Sequence, residues 1–159
     1  MSVQDVEVAP PVTVLLQRWR QGDDSAQQVF VERVYATLHE MAQAKMAVRG
    51  QVAGLLQPTA LVNEALLRLL GPGACYSDRV HFFATASLKM RAVLVDYARS
   101  ALADKRGGGM AHLTLSAVDN QPVAAGLHEH EQLLALHQAL ERFATLDPRA
   151  ARVVELSYF

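Results

Sequence analysis

The fold is decided by the stretch QPTALVNEALLRLL at residues 57–70. Pro58 suits the first turn of a helix, where the N–H that proline lacks would have no partner. Five apolar residues then recur at helical spacing and predict one buried face: Leu61, Val62, Ala65, Leu66 and Leu69. The opposite side carries an amide, a carboxylate, a guanidinium and an adjacent leucine: Asn63, Glu64, Arg68 and Leu67. This side is either a docking surface or an ordinary solvated helix face, and periodicity alone favours the second.

The composition extends the helical prediction to the whole chain. Its 159 residues can form one ordinary domain or two small helical ones, and a hydrophobic content of 51% is ample for a core. Abundant Ala and Leu, with few alternating β-branched runs, predict an all-α protein. The single Cys75 excludes an internal disulfide, so a cytoplasmic location is expected. Neither a signal peptide nor a membrane-spanning helix is expected, because no suitable apolar run occurs.

Helix signals divide the chain into four predicted segments. Residues 1–11 are expected to form a disordered leader, and residues 12–106 a bundle of three or four helices. Residues 107–128 are Gly-rich at their start and without sustained periodicity, which predicts a linker. Residues 129–159 are expected to form two further helices. The second of these starts with Asp147 as N-cap and Pro148 at its first position.

The longest predicted helix covers about residues 80–104 and has two apolar stripes. The broad stripe consists of Phe82, Phe83, Ala86, Met90, Val93, Leu94 and Tyr97, and the thin one of Leu88, Ala92 and Val95. Two stripes indicate a helix that lies between neighbours or offers one stripe to a partner. Residues 79–106 hold six basic side chains against two acidic ones, an excess of +4 in a chain of net charge −1. Such a local excess fits either a nucleic-acid contact or a solvated helix face.

The order of these segments resembles a known family. Residues 57–70 resemble the clamp-binding helix of bacterial RNA polymerase sigma factors of the extracytoplasmic-function-like (ECF) group. The stretch HFFATASLKMRAVLVDYAR at residues 81–99 is similar to the promoter-melting, minus-ten-reading helix of that group, and DKRGGG at residues 104–109 to its end. Residues 146–156, LDPRAARVVEL, resemble the opening of the group's second domain. Together these segments cover most of the chain in the family's order.

The resemblance implies two sets of functional residues. A clamp-binding set would dock on the β′ subunit of the RNA polymerase core: Asn63, Glu64, Leu67 and Arg68. A DNA-binding set would contact and help to melt the promoter minus-ten region: Tyr76, Arg79, Lys89, Arg91, Arg99, Lys105 and Arg106. Tyr76 would stack on an unpaired base, and the alternative is a tyrosine that closes the edge of the core. Ala60 stands where many sigma factors have an Asp, which removes one candidate charge contact with the clamp.

Catalytic chemistry has little support in the sequence. The only dense histidine cluster is HEHE at residues 128–131, and alternate residues of one helix point about 200° apart, so His128 and His130 cannot share a metal from one helix. A solvated helix start is the better interpretation of that cluster. No strand precedes a Gly-rich phosphate loop, and Cys75 lacks an obvious partner base. We therefore expect no enzymatic activity, no metal and no cofactor.

Two functions remain open after these exclusions. The first is a sigma factor that binds the polymerase core and directs transcription initiation. Its further expected partners are promoter DNA and, as a candidate, an anti-sigma factor, with no membrane contact. The chain stops at Phe159, before any helix-turn-helix, so an ending truncated within the second domain is expected. The second function is therefore a truncated helical interaction protein, which would bind the polymerase or a regulator without initiating transcription.

Overall fold

A computed structural model describes residues 10–47, 56–107 and 123–158, and these residues form six α-helices. The helices are α1 (Val12–Arg20), α2 (Asp24–Ala47), α3 (Pro58–Leu69), α4 (Arg79–Gly107), α5 (Val123–Leu146) and α6 (Pro148–Tyr158). No strand occurs in the described part of the chain. The predicted all-α class is confirmed. None of the described helices is long and apolar enough to cross a bilayer.

Short polar side chains start the helices at the expected places. Asp147 Oδ1 accepts hydrogen bonds from the N–H groups of Arg149 and Ala150, at 3.1 and 3.0 Å, and so caps α6. Asp78 Oδ1 likewise accepts from the N–H of His81 at 2.8 Å and caps α4. The start of α5 differs from the prediction, since the helix begins at Val123, inside the expected linker. Good helix formers at this point, Ala124 and Ala125, let the helix begin before the periodic apolar pattern does.

Aromatic rings of four different segments meet in the core. Phe30 of α2 and Phe82 of α4 pack edge to face, with ring centroids 4.7 Å apart. Tyr76 packs edge-on against Phe82 at 5.1 Å, and Trp19 of α1 lies 6.0 Å from Tyr76 and 5.7 Å from Phe30. The five apolar residues predicted to face inward from α3 are all buried in the same cluster. The first four helices are thus joined by one continuous apolar core.

The long helix α4 lies between neighbours, as one of the two interpretations of its stripes predicted. It packs against α3 on one side and against α5 on the other. Val95, from the thin stripe, is fully buried, while Leu88 and Ala92 are partly buried. Leu133 and Leu140 of α5 belong to the same core cluster as the residues of α1–α4. The two C-terminal helices therefore pack back on the N-terminal bundle, with α6 lying mainly against α5.

Candidate functional site

The outer face of α3 presents one large apolar side chain among polar ones. Leu67 is 72% exposed, whereas Leu61, Leu66 and Leu69 of the same helix are buried. Asn63 and Glu64 lie exposed on the same side of the helix. The geometry follows from the sequence, because the buried leucines fill the inward stripe and leave Leu67 outside it. An exposed leucine bordered by an amide and a carboxylate forms a small amphipathic surface.

Arg68, the fourth residue expected on this surface, is turned towards α4. Its guanidinium donates a hydrogen bond to Asp96 Oδ2 at 2.8 Å and lies 3.6 Å from Glu64 Oε1. Asp96 Oδ1 is in turn 3.9 Å from the guanidinium of Arg99. The four charges form a row of alternating sign across α3 and α4. The four side chains are 31–58% exposed, so each pair stabilises the fold only weakly. The main effect of the row is to orient Arg68 and Arg99.

Tyr76 lies in the core and is not exposed in the loop before α4. Its side chain is buried, and its hydroxyl donates a hydrogen bond to the backbone carbonyl oxygen of Leu69 at 2.7 Å. Burial raises the pKa of the Tyr76 hydroxyl above its ordinary value. In this arrangement the ring cannot stack on a base, and the alternative interpretation, a tyrosine closing the edge of the core, is the one that the structure favours. A loop residue has no periodicity from which this burial could be predicted.

The first turn of α4 presents a different pair of side chains to solvent. The guanidinium of Arg79 lies 5.5 Å from the centroid of the Phe83 ring, within the range of a cation–π contact. Val80, beside Arg79, is 78% exposed. Sequence reasoning named Arg79 but missed Val80, because a single valine outside the apolar stripe carries no pattern. This end of α4 combines a cation held by a ring with an apolar side chain next to it.

The other cations of the DNA-binding set differ in their surroundings. Arg99 is exposed, and Lys89 is partly buried. Arg91 forms an ion pair with Glu155 of α6 and donates a hydrogen bond to His137 Nδ1 of α5 at 2.9 Å. The side chains of Lys105 and Arg106 lie outside the described residues. The structure thus leaves Arg79 and Arg99 accessible, while helices that follow in sequence surround Arg91.

His137 is held as a neutral imidazole by this arrangement. A guanidinium has no acceptor, so Arg91 must donate to Nδ1, and the ring proton therefore resides on Nε2, which lies 3.3 Å from Glu141 Oε1. Burial lowers the pKa of His137; the nearby Glu141 opposes this shift and the Arg91 cation adds to it. Arg91, His137 and Glu155 together form what we call the Arg91 cluster. Its side chains are only 12–16% exposed.

The histidine cluster near the start of α5 corrects one prediction. His130 was expected at a solvated helix start, but it is 2% exposed and its ring packs edge-on to Tyr97 of α4, with centroids 5.9 Å apart. The reason is that α5 begins earlier than expected, which places residue 130 within the α4–α5 interface. The side chains of His128 and Glu129 lie outside the described residues. Within the ranges that are described, no three His, Cys, Asp or Glu side chains come together in a way that could hold a metal.

Comparison with known proteins identifies the family of this chain. A family model of ECF sigma factors matches residues 10–159, which include all six helices. The chain belongs to the ECF sigma factor family. Members of this family act in transcription initiation, with RNA polymerase core and promoter DNA as partners. Comparison with curated proteins and with solved structures found no match.

Proposed function

We propose that this chain binds RNA polymerase core through the outer face of α3 and then contacts and helps to melt the minus-ten region with α4. The observation that carries the proposal is the exposure of Leu67. Its side chain is 72% exposed, whereas the core-facing leucines of the same helix are buried. When a partner covers an exposed leucine, apolar surface is removed from water and the free energy of the complex is lowered. The charged Glu64 beside it would select the orientation of that partner.

The contacts of each residue on the α3 face suggest its proposed role in binding the polymerase. Leu67 and Asn63 have no role in the core and would meet the β′ clamp directly. Glu64 would supply the charge contact, which matters more here because Ala60 supplies none. Arg68 is oriented by Asp96, 2.8 Å away, so its contribution would be to hold the α3 face and α4 in one fixed relation. Docking on the polymerase would then place α4 on the promoter.

The proposed DNA contacts start from the accessible cations of α4. Arg79 and Arg99 would hold phosphates, with Lys89 as a further candidate, and such contacts position a nucleic acid without reading its sequence. Melting would need a surface that accepts a base leaving the stack. The exposed Val80 and the Arg79–Phe83 pair form the surface that fits this role, because Tyr76 lies in the core.

A charge reversal in the α3 face tests the polymerase contact. Glu64→Arg should weaken binding to purified RNA polymerase core by about tenfold or more, because it places a cation where the partner accepts an anion. Glu32→Arg is the matched control, since Glu32 is also an exposed acid but lies on a different helix, α2. Leu67→Ala should weaken binding as well. Equal binding by the Glu64→Arg and Glu32→Arg proteins would refute the α3 face as the contact.

One observation favours a second candidate function. Because Arg91 is held by Glu155 and His137, this protein would bind polymerase and yet contact DNA poorly, as an interaction protein that competes with other sigma factors. Replacing Arg79 and Arg99 together by Ala separates the two functions. Promoter-dependent transcription should fall if the protein initiates transcription, whereas polymerase binding should persist in both cases. A protein without promoter-dependent activity that still displaces other sigma factors from polymerase would establish the second candidate.

A further inference from the structure

Arg91 is a cation of the proposed DNA-binding set whose guanidinium contacts side chains of two later helices. Its guanidinium pairs with the carboxylate of Glu155 on α6 and donates to His137 on α5. Both acid and base of the ion pair are largely withdrawn from water, with 16% and 14% of their side chains exposed. Such a pair is screened far less by salt than the exposed row formed by Glu64, Arg68 and Asp96.

Apolar packing secures α6 only modestly. Ala151 is its one described fully buried side chain and Val154 is partly buried, whereas Val153 is 64% and Leu156 is 42% exposed. The ion pair between Arg91 and Glu155 joins α6 to α4, whereas α6 otherwise lies mainly against α5. Loss of that pair would release α6 far more readily than it would disturb α2 or α3, whose apolar faces are fully buried.

We propose that Glu155 occupies Arg91 in place of a DNA phosphate, so that docking of α6 and contact of Arg91 with DNA exclude each other. This inference rests on the proposed function in one respect, that α4 faces nucleic acid. A carboxylate and a phosphate both accept the paired N–H groups of a guanidinium in the same planar geometry. One guanidinium enclosed by two helices cannot serve both. The α6 helix thus acts as an internal competitor that lowers the affinity of α4 for DNA.

The competition has a thermodynamic consequence that can be measured. With α6 docked, DNA is held by the other cations alone; with α6 released, Arg91 adds a phosphate contact, so the apparent affinity rises with the fraction of molecules in the released state. Neutralising Glu155 raises this fraction and adds one phosphate contact. An added phosphate contact on a single strand steepens the dependence of log affinity on log salt by about 0.7. A change in slope distinguishes a freed Arg91 from a general gain of positive charge.

The test compares variants of the full chain in binding to a fluorescein-labelled single-stranded DNA of mixed sequence. Glu155→Gln should tighten binding by about fivefold or more and steepen the salt dependence by about 0.7. The control is Glu131→Gln, which changes net charge equally at an exposed acid of α5. The double variant Glu155→Gln with Arg91→Ala should lose the gain. Hydrogen exchange should show faster exchange in α6, with α2 and α3 still protected, which separates release of α6 from unfolding.

Three results would overturn the proposal. The first is equal binding by the Glu155→Gln and Glu131→Gln proteins, and the second is a gain that survives the removal of Arg91. The third is no DNA binding by any variant, although hydrogen exchange shows α6 released. The polymerase assay with Glu64→Arg tests the proposed function separately, because the α3 face does not include Arg91, His137 or Glu155.

Discussion

The two sides of α4 are held to their neighbours by different kinds of contact. The side towards α1–α3 is an apolar core in which Phe82 packs against the rings of Phe30 and Tyr76, and the buried Tyr76 hydroxyl donates a hydrogen bond to a backbone carbonyl. The side towards α5 and α6 mixes buried leucines with the ionic Arg91 cluster. Apolar packing involves no charges and so depends little on ions in solution, whereas an ionic contact can be exchanged for another ion. The difference indicates a permanent scaffold on one side and an exchangeable contact on the other.

Truncating an aromatic ring on the side of α4 that faces α1–α3 should give the largest loss of stability. Phe82→Ala should lower the free energy of unfolding by about 3–5 kcal/mol, because it removes the ring at the centre of the cluster and leaves a cavity. Phe143→Ala is the matched control on α5, where the ring is only partly buried, and it should cost less than half as much. Urea denaturation of both variants measures the two losses. Equal losses would break the comparison between the two sides.

Two double-mutant cycles sharpen the comparison for charged groups. The Arg91–Glu155 pair should show a coupling energy of about 1–3 kcal/mol when each residue is replaced by Ala alone and together. The Arg68–Asp96 pair is the control, since its side chains are 31% and 51% exposed, and its coupling should be about 0.2–1 kcal/mol. The free energy of local opening, from hydrogen exchange of α6 and α3 amides, measures each coupling. A coupling for Arg91–Glu155 no larger than the control would mean that α6 is held by apolar packing alone.

Much of the scaffold was predictable from sequence because its signals are local. Pro58 and Asp147 mark helix starts within a few residues of the places where the structure has them, and apolar spacing identified the buried face of α3. The exposure of Leu67 followed from the same spacing, since it falls outside the inward stripe. Such features depend on the residues within one or two helical turns.

The Arg91 cluster could not be predicted in the same way. Arg91 and His137 are 46 residues apart in sequence, and only the packing of α5 on α4 brings them together. A basic residue on a helix face looks the same in sequence whether its partner is water, a phosphate or a distant carboxylate. The sequence left two positions open for Tyr76 for a related reason, because tertiary contacts with Trp19 and Phe82, not local spacing, decide its burial. The surroundings of charged and loop residues were therefore the least predictable part of the structure.

Acid should selectively weaken the contacts of the Arg91 cluster between α4 and the helices α5 and α6. This is the smallest of the expected effects. Burial and the Arg91 cation lower the pKa of His137, while Glu141 and Glu155 oppose the shift and Arg99 adds to it. The unfolded chain therefore binds a proton at this histidine before the folded protein does. The stabilising contribution of the neutral ring is complete above its unfolded pKa of about 6.5. It is lost progressively as the pH falls below that value and through the lower pKa of the folded protein. Protonation would also remove the acceptor that Nδ1 offers to Arg91.

The selectivity of this acid effect can be read segment by segment. Between about pH 7.5 and pH 5.5, hydrogen exchange should show that α6 and the adjoining part of α5 lose protection while α3 keeps it. His137→Gln should make the exchange of α6 less dependent on pH, since the cluster then lacks its histidine. His39, a partly buried histidine of α2, provides the matched control as His39→Gln. An undiminished pH dependence in His137→Gln would assign the acid sensitivity to another group. A uniform loss of protection across α3 and α6 would show that the two sides of α4 open together, and the distinction between scaffold and exchangeable contact would fail.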